Sequence, residues 1–236
     1  MHLMNKKEIS ECIGLYLGDG LRSMKGSSGY RISFTNNDLG LIRKMKRFFN
    51  WLGIPNSRIH AQIDIPIETT NINKEKIEVL GKIKMNSNKA LFRIEKRRKS
   101  SVQIRAFSKL TREKLNNIIE KESSQLNIRK ASNILRGLFA AEGRVKLQKE
   151  SLNALCIATS EAKNYELLDR ILKMLNFKFY YSKTEFYIHS FYQFKRFKEL
   201  KIHVLHYEKR KKFERAYKVL RRNFYLAEIS QGSTAE

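Results

Sequence analysis

Two carboxylates in this chain stand at matching places. Asp19 closes the run Cys12-Ile13-Gly14-Leu15-Tyr16-Leu17-Gly18-Asp19-Gly20, and Glu142 closes Leu135-Arg136-Gly137-Leu138-Phe139-Ala140-Ala141-Glu142-Gly143. In each, an apolar stretch rich in small residues ends in one acid, and a glycine follows at once. The acids are 123 positions apart, about the length of a small domain, so the pattern reads as an internal repeat. The run before each acid predicts a helix. Gly14 and Gly18 lie four apart, as do Gly137 and Ala141, which stacks small residues on one helix face where another backbone can approach. Two glycines cost such a helix about 2 kcal/mol in propensity, which tight helix–helix contact offsets.

An acid at the C-terminal end of a helix opposes the negative end of the macrodipole. Two such helices pressed together would also bring the acids side by side, where each disfavours ionisation of the other. A chain shaped by stability alone has no reason to do this twice. A divalent cation removes both penalties. Mg²⁺ takes a few carboxylate oxygens together with water and phosphate oxygens. Held there, it polarises a scissile phosphate, acidifies a bound water and stabilises the leaving oxygen. The pattern therefore predicts Mg²⁺, or another divalent cation, at Asp19 and Glu142. A lone acid ending a helix would mean only a local cap; the repeat favours the metal.

The charge balance says what the substrate would be. Of 236 residues, 48 are Lys or Arg and 23 are Asp or Glu, a net charge of +25. That excess repels itself in the folded state and suits a polyanionic partner. The basic residues run from Lys6 to Arg222, whereas a membrane surface calls for one concentrated amphipathic segment. A thermophile-like surface raises both signs together, and here one sign is raised. Nucleic acid is the expected partner. Cys12 and Cys156 sit alone in apolar runs, without zinc-ligand spacing. The absence of a secretory segment or long apolar run predicts an intracellular protein, nucleoid-associated or organellar, with no membrane partner.

The elements that must position the acids follow from periodicity. After Gly20, residues 21–25 and Tyr30 to Thr35 predict a hairpin around Gly26-Ser27-Ser28-Gly29. Asp38 opens a helix to about Leu52, with Asn5 or Ser10 the expected cap of the first one. Arg58 to Ile65 predicts a strand, and Pro66 to Asn88 an insertion or long hairpin. Leu91 to Glu95 and Ser101 to Phe107 predict strands around Lys96-Arg97-Arg98-Lys99, and Lys109 to Glu122 a helix. Ser123-Ser124-Gln125 is the linker candidate. The second half repeats the order: helices at Arg129–Ala141, Tyr165–Leu175 and Tyr192–Leu200, strands at Val145–Leu147, Leu152–Thr159, Phe177–Ser182 and Glu185–Ser190. A basic helix, Leu205 to Leu226, has no counterpart, and 232–236 predicts a frayed tail. The expected domains are 1–124, 125–202 and a C-terminal segment 203–236.

Ile13-Gly14-Leu15-Tyr16-Leu17-Gly18-Asp19-Gly20 and Arg136-Gly137-Leu138-Phe139-Ala140-Ala141-Glu142-Gly143 resemble the two signature motifs of the LAGLIDADG homing endonucleases in their monomeric, two-repeat form. The resemblance covers roughly residues 8–200. It implies an α+β fold of two pseudo-symmetric αββαββα repeats packed through their motif helices, with antiparallel sheets forming a DNA-binding saddle. It further implies that the Gly18 and Ala141 carbonyls join Asp19 and Glu142 as metal ligands. Each strand of a long double-stranded DNA target would be cut once. The family often has Gln or Lys near the end of a repeat's second strand, where this chain has Asn36 and Thr159 or Ser160. A lysine after the fourth strand is common, and Lys109 is the match. His189 is the only candidate at the equivalent place in the second half.

Long polar side chains on one strand face can read base edges in the major groove. The candidates are Arg22, Lys25, Arg31, Ser33, Thr35, Arg97, Arg98, Ser101, Gln103 and Arg105 in the first half. In the second they are Arg144, Lys146, Asn153, Lys178 and Lys183. The leading expectation is a metal-dependent, intron-encoded, site-specific DNA endonuclease. The alternative is a non-cleaving LAGLIDADG-type binder, either a maturase of intron RNA or a DNA-binding regulator.

Overall fold

The structure, a computed structural model, describes residues 3–20, 30–96, 99–159 and 162–232. The chain divides into two units, Met1–Leu126 and Asn127–Glu236. No described helix is long and apolar enough to cross a membrane.

In the first unit, helix α1 (Lys6–Asp19) starts on Asn5, whose side chain takes the Glu8 N–H while Glu8 reaches back to the Asn5 N–H. This reciprocal capping box satisfies two orphan donors. Ser10 lies inside the helix, its hydroxyl donating to the Lys6 carbonyl at 3.1 Å. Burial runs unbroken from Ser10 to Leu17. It includes Glu11, 3% exposed and neutralised by Lys44 Nζ at 2.5 Å. Strand β1 (Arg31–Asn36) leads to helix α2 (Leu39–Trp51), opened by the Asp38 carboxylate on the Gly40 and Leu41 N–H groups. Strands β2 (His60–Pro66), β3 (Ala90–Glu95) and β4 (Ser101–Phe107) follow, with helix α3 (Ile72–Ile83) between β2 and β3 and helix α4 (Lys109–Ser124) last. Ile32, Phe34, Ala61, Ile63, Ile65, Val102, Ile104 and Ala106 are buried on one sheet face, as are Leu41, Ile42, Met45, Phe48 and Phe49 of α2.

The sheet order is β1-β4-β2-β3, and it departs from expectation in two ways. The stretch after Pro66 is not a long hairpin: it carries α3, capped by Asn71. Only Val79 and Ile83 of that helix are buried, so its sequence shows little period. Second, β3 is not the hairpin partner of β4, because β2 lies between them and pairs with β3 in parallel. Parallel neighbours need a crossover, and α3 supplies it. The expected strand at 21–25 and its turn at 26–29 lie outside the described residues; Gly20 itself bridges antiparallel to Phe34.

The second unit runs α5 (Ile128–Glu142), β5 (Gly143–Gln148), β6 (Ser151–Ala158), α6 (Ala162–Met174), β7 (Phe179–Ser182), β8 (Glu185–Ile188), α7 (Phe191–Glu199) and α8 (Tyr207–Gly232). Its sheet, β5-β6-β8-β7, is antiparallel throughout. Helix α5 is buried from Ala131 to Ala140. Inside it, Arg136 donates to the Leu200 and Lys201 carbonyls at 2.9 Å each and to Asn133 at 3.0 Å, closing the end of α7. Helix α8 is longer than expected and is part of this unit rather than a separate segment. Phe213 is fully buried with its ring 5.6 Å from Phe197, and Phe224 stacks on Phe191 at 4.2 Å. Residues 233–236 lie outside the described residues.

Both motif helices leave by the same turn. Gly20 (φ −82°, ψ 138°) gives its N–H to the Tyr16 carbonyl, and Gly143 (φ −71°, ψ 147°) gives its N–H to the Phe139 carbonyl. These angles suit any residue; space is what demands glycine. A Cβ on Gly20 would lie 2.3 Å from the Tyr16 oxygen, and one on Gly143 2.4 Å from the Phe139 oxygen. The strand thus starts hard against the last helical turn, with the acid as the final helical residue. Gly143→Ala is expected to lower stability by about 2 kcal/mol or more, because the new methyl would meet the Phe139 carbonyl as well as the Phe139 ring, and the carbonyl cannot swing aside. Urea unfolding measures it.

His203 supplies a pH handle on the second unit. Burial pushes its imidazole down to about 4, against the opposing pull of the Glu214 carboxylate 3.6 Å away. The neutral form is therefore the folded one, and its stabilisation is complete above the unfolded value near 6.5. It is lost as pH falls from there toward 4. Thermal melting across that window should show a steeper decline for the parent than for His203→Gln.

Candidate functional site

Burial on each motif helix stops one residue before the expected carbonyl ligands. Gly18 and Asp19 on α1, and Ala141 and Glu142 on α5, are all half-exposed. Each helix thus presents its negative end, closed by a carboxylate, beside the first strand of its sheet. These are hard oxygen donors, the kind that Mg²⁺ and Ca²⁺ take. Among the described residues no three His, Cys, Asp or Glu side chains gather into a metal cage. A cation here would rely on one or two carboxylates, backbone oxygens, water and phosphate, which is the habit of Mg²⁺.

The two ends are furnished differently. In the first unit, Asn36 at the end of β1 donates its amide N–H to Asp19 Oδ2 at 2.6 Å, while its own oxygen accepts the Asp38 N–H at 2.8 Å. The second bond fixes which way the amide points, so the sequence match of Asn36 to an active-site position lands on the acid itself. This end, a held carboxylate with carbonyls beside it, fits a divalent cation. In the second unit Thr159 stands where Asn36 stands in the first, but it is buried, with its N–H on the Thr184 carbonyl. Ser160 lies outside the described residues.

What reaches the second end is Lys209, from the first turn of α8. Its Nζ lies 2.6 Å from the Ala141 oxygen, 2.7 Å from Ala140 and 3.2 Å from Phe139. An ammonium has three donors, and three successive carbonyls take them. The Ala141 oxygen, an expected metal ligand, is thus engaged by a cation of the chain itself. As arranged, this end does not fit a second cation. Nothing in the sequence singled out Lys209 within Lys209-Arg210-Lys211-Lys212.

Strand direction corrects the lysine assignment. Asn36, beside Asp19, pairs with Val102 near the start of β4, whereas Lys109 follows Phe107, which pairs with Arg31. Five residues of strand separate the two rows, about 17 Å. Lys109 therefore stands at the far end of the sheet, over the Tyr30 ring, and has no catalytic position. The lysines at the acid's end of the fourth strands are Lys99 and Lys183, both exposed and each two residues ahead of β4 or β8. His189 is likewise remote from Glu142. It follows Ile188 at the other end of β8, with Nδ1 3.0 Å from the Asn153 carbonyl and Nε2 3.2 Å from the Tyr180 hydroxyl.

The polar face of the first sheet gathers most of the expected reading residues into rows. Ser33, Arg105 and His60 are cross-strand neighbours, as are Thr35, Gln103 and Gln62, and then Ser101 and Asp64. Arg31, Thr35, Gln103 and Arg105 are half-exposed there, and Gln103 donates to the Thr35 hydroxyl at 3.1 Å. Ser33 shares the face but is 1% exposed, and Ser101 is buried against Asp64. His60 and Gln62, on the strand expected at Arg58 to Ile65, belong to the same face and were not among the candidates. Arg22, Lys25, Arg97 and Arg98 lie outside the described residues.

On the second sheet one acid organises the face. Glu185 takes Arg144 at 2.7 Å, Lys146 at 3.4 Å and the Tyr187 hydroxyl at 2.7 Å. The Tyr187 hydrogen bond, opposed by burial and joined by Arg144 and Lys146, holds the Glu185 carboxyl below the usual range. Two of the expected DNA contacts are thus pre-aimed by a carboxylate in their midst. Asn153, Lys178 and Lys183 are exposed. An open groove of about 1150 Å³ between β5 and α8 adds Lys209, Lys211, Lys212 and Arg215 to Arg144 and Lys146.

No family model and no curated protein sequence matches the chain. Solved structures do. The structure is similar to mesophilic variants of the homing endonuclease I-DmoI at 18% identity, covering 83% of this chain and 94% of that one with a TM-score of 0.50. Full-length DUF199/WhiA from Thermotoga maritima matches at 18% identity over all of this chain and 70% of that one, TM-score 0.54. The N-terminal LAGLIDADG domain of DUF199/WhiA matches at 17% identity over 85% of each chain, TM-score 0.51. The α+β fold of this chain, with a buried motif helix leading into a sheet in each unit, is the LAGLIDADG fold.

Proposed function

We propose that the chain is a site-specific, metal-dependent endonuclease of double-stranded DNA, of the homing type. Asp19 with the Gly18 carbonyl would hold the cation at the first helix end, and Glu142 with the Ala141 carbonyl would join as ligands once Lys209 has left that oxygen. The observation that carries this reading is the repeated helix exit: twice the fold sets an acid as the last helical residue, where the helix field disfavours it, and twice crowding against a carbonyl and ring of the last turn demands the glycine that follows. A cation bound there would polarise the phosphate and acidify its attacking water. Asn36 keeps the Asp19 carboxylate in one orientation, and the polar sheet faces hold the duplex. Mg²⁺ as the working ion, a monomer as the working form and an intracellular, intron-encoded setting belong to the same proposal.

A second reading, a LAGLIDADG-type binder of DNA or intron RNA that does not cut, is favoured by one observation: Lys209 on the Ala141 carbonyl. Cleavage-site selection from randomised duplexes with Mg²⁺ or Mn²⁺ decides between them. The endonuclease reading predicts discrete cleavage by the parent. Asp19→Asn and Glu142→Gln should lower it by at least about 100-fold with duplex affinity changed less than about threefold. No cutting with either metal, or variants that lose binding instead, would overturn it. Asn36→Leu, which removes the group orienting the ligand, should cost about 10–100-fold in cleavage rate at unchanged binding.

A further inference from the structure

We infer that Lys209 is a built-in cation that keeps a divalent ion off the second motif helix. The inference rests on the reading of Asp19 and Glu142 as metal ligands and says how the two differ. The last carbonyls of an α-helix have no partner within the helix and carry its negative end. On α5 the ammonium of Lys209 spans three of them, with its shortest contact, 2.6 Å, to Ala141. A divalent ion bound to that same oxygen at the ordinary distance of about 2.1 Å would stand within about 5 Å of the ammonium, two cations sharing one acceptor. At the first helix, the Asn36 amide donates to the Asp19 carboxylate.

Helix α8 is anchored well beyond this turn, by Phe213, Ala216 and Tyr217, so Lys209 is delivered by a fixed element and not by a loose tail. It also borders the basic groove between β5 and α8. The second helix end therefore takes a divalent ion only when Lys209 leaves it. Lys209 is a positioning residue here, acting on the metal through the carbonyls it covers.

Mn²⁺ titration of the full-length protein, followed by electron paramagnetic resonance of the free ion, tests this. The variants are Lys209→Met and Lys209→Gln, the latter keeping a neutral donor for the carbonyls in case the former folds poorly. Both should gain a Mn²⁺ site, or tighten one, by at least tenfold, and adding Glu142→Gln should remove the gain. Unchanged Mn²⁺ binding in both variants, with only a lowered melting temperature, would make Lys209 a helix cap and nothing more. Asp19-dependent Mn²⁺ binding by the parent, measured alongside, separates the two failures. Where it persists without a gain in the variants, this inference alone falls; where no protein binds Mn²⁺, the metal reading falls with it.

Discussion

The negative ends of α1 and α5 are the constraint on which the rest depends. A helix that closes on a carboxylate and turns at once into a strand concentrates negative potential at one point. The fold then has to supply something positive or polar there. Burial along each helix holds the end in place, and the crowding at Gly20 and Gly143 holds the strand against it. Among the described residues, an oriented amide meets that potential at Asp19 and an ammonium meets it at Ala141.

The two answers differ, and the difference is one of charge rather than shape. A neutral amide bonded to one carboxylate oxygen steadies the group without adding charge to it. An ammonium spread over three carbonyls brings a positive charge to them. The sheets carry a parallel contrast. The first unit's face is built of mutually bonded polar side chains around Gln103 and Asp64, while the second draws Arg144, Lys146 and Tyr187 onto Glu185. A charge-rich face around a single acid is stiffer and less positive than its residue count suggests. Two like helix exits therefore carry unequal chemistry in the two units.

Much of this was legible before any coordinates. Alternation marked β1 and β4, and the spacing of small residues marked both motif helices; the resemblance singled out Asn36 only as a shorter residue where the family often has Gln or Lys. What stayed hidden had physical reasons. Helix α3 touches the core through only Val79 and Ile83, too little to impose a period. The parallel pairing of β3 with β2 is a choice of neighbour that no local pattern encodes. Lys109 was misplaced because the direction of β4 is a property of the sheet, not of the strand. Lys209 was hidden in a basic run that reads as a solvated helix face, and only packing of α8 reveals which lysine turns inward.

On the proposed reading, the Asp19 helix end holds a divalent cation and the Ala141 end does so only without Lys209. Anomalous scattering at the manganese edge, from crystals grown with Mn²⁺ and duplex DNA, addresses it most directly. The account predicts a peak at bonding distance from an Asp19 carboxylate oxygen, and none at the Ala141 carbonyl while Lys209 remains bonded to it. The absence of any peak at Asp19, or a peak on Ala141 with Lys209 still in place, would contradict it.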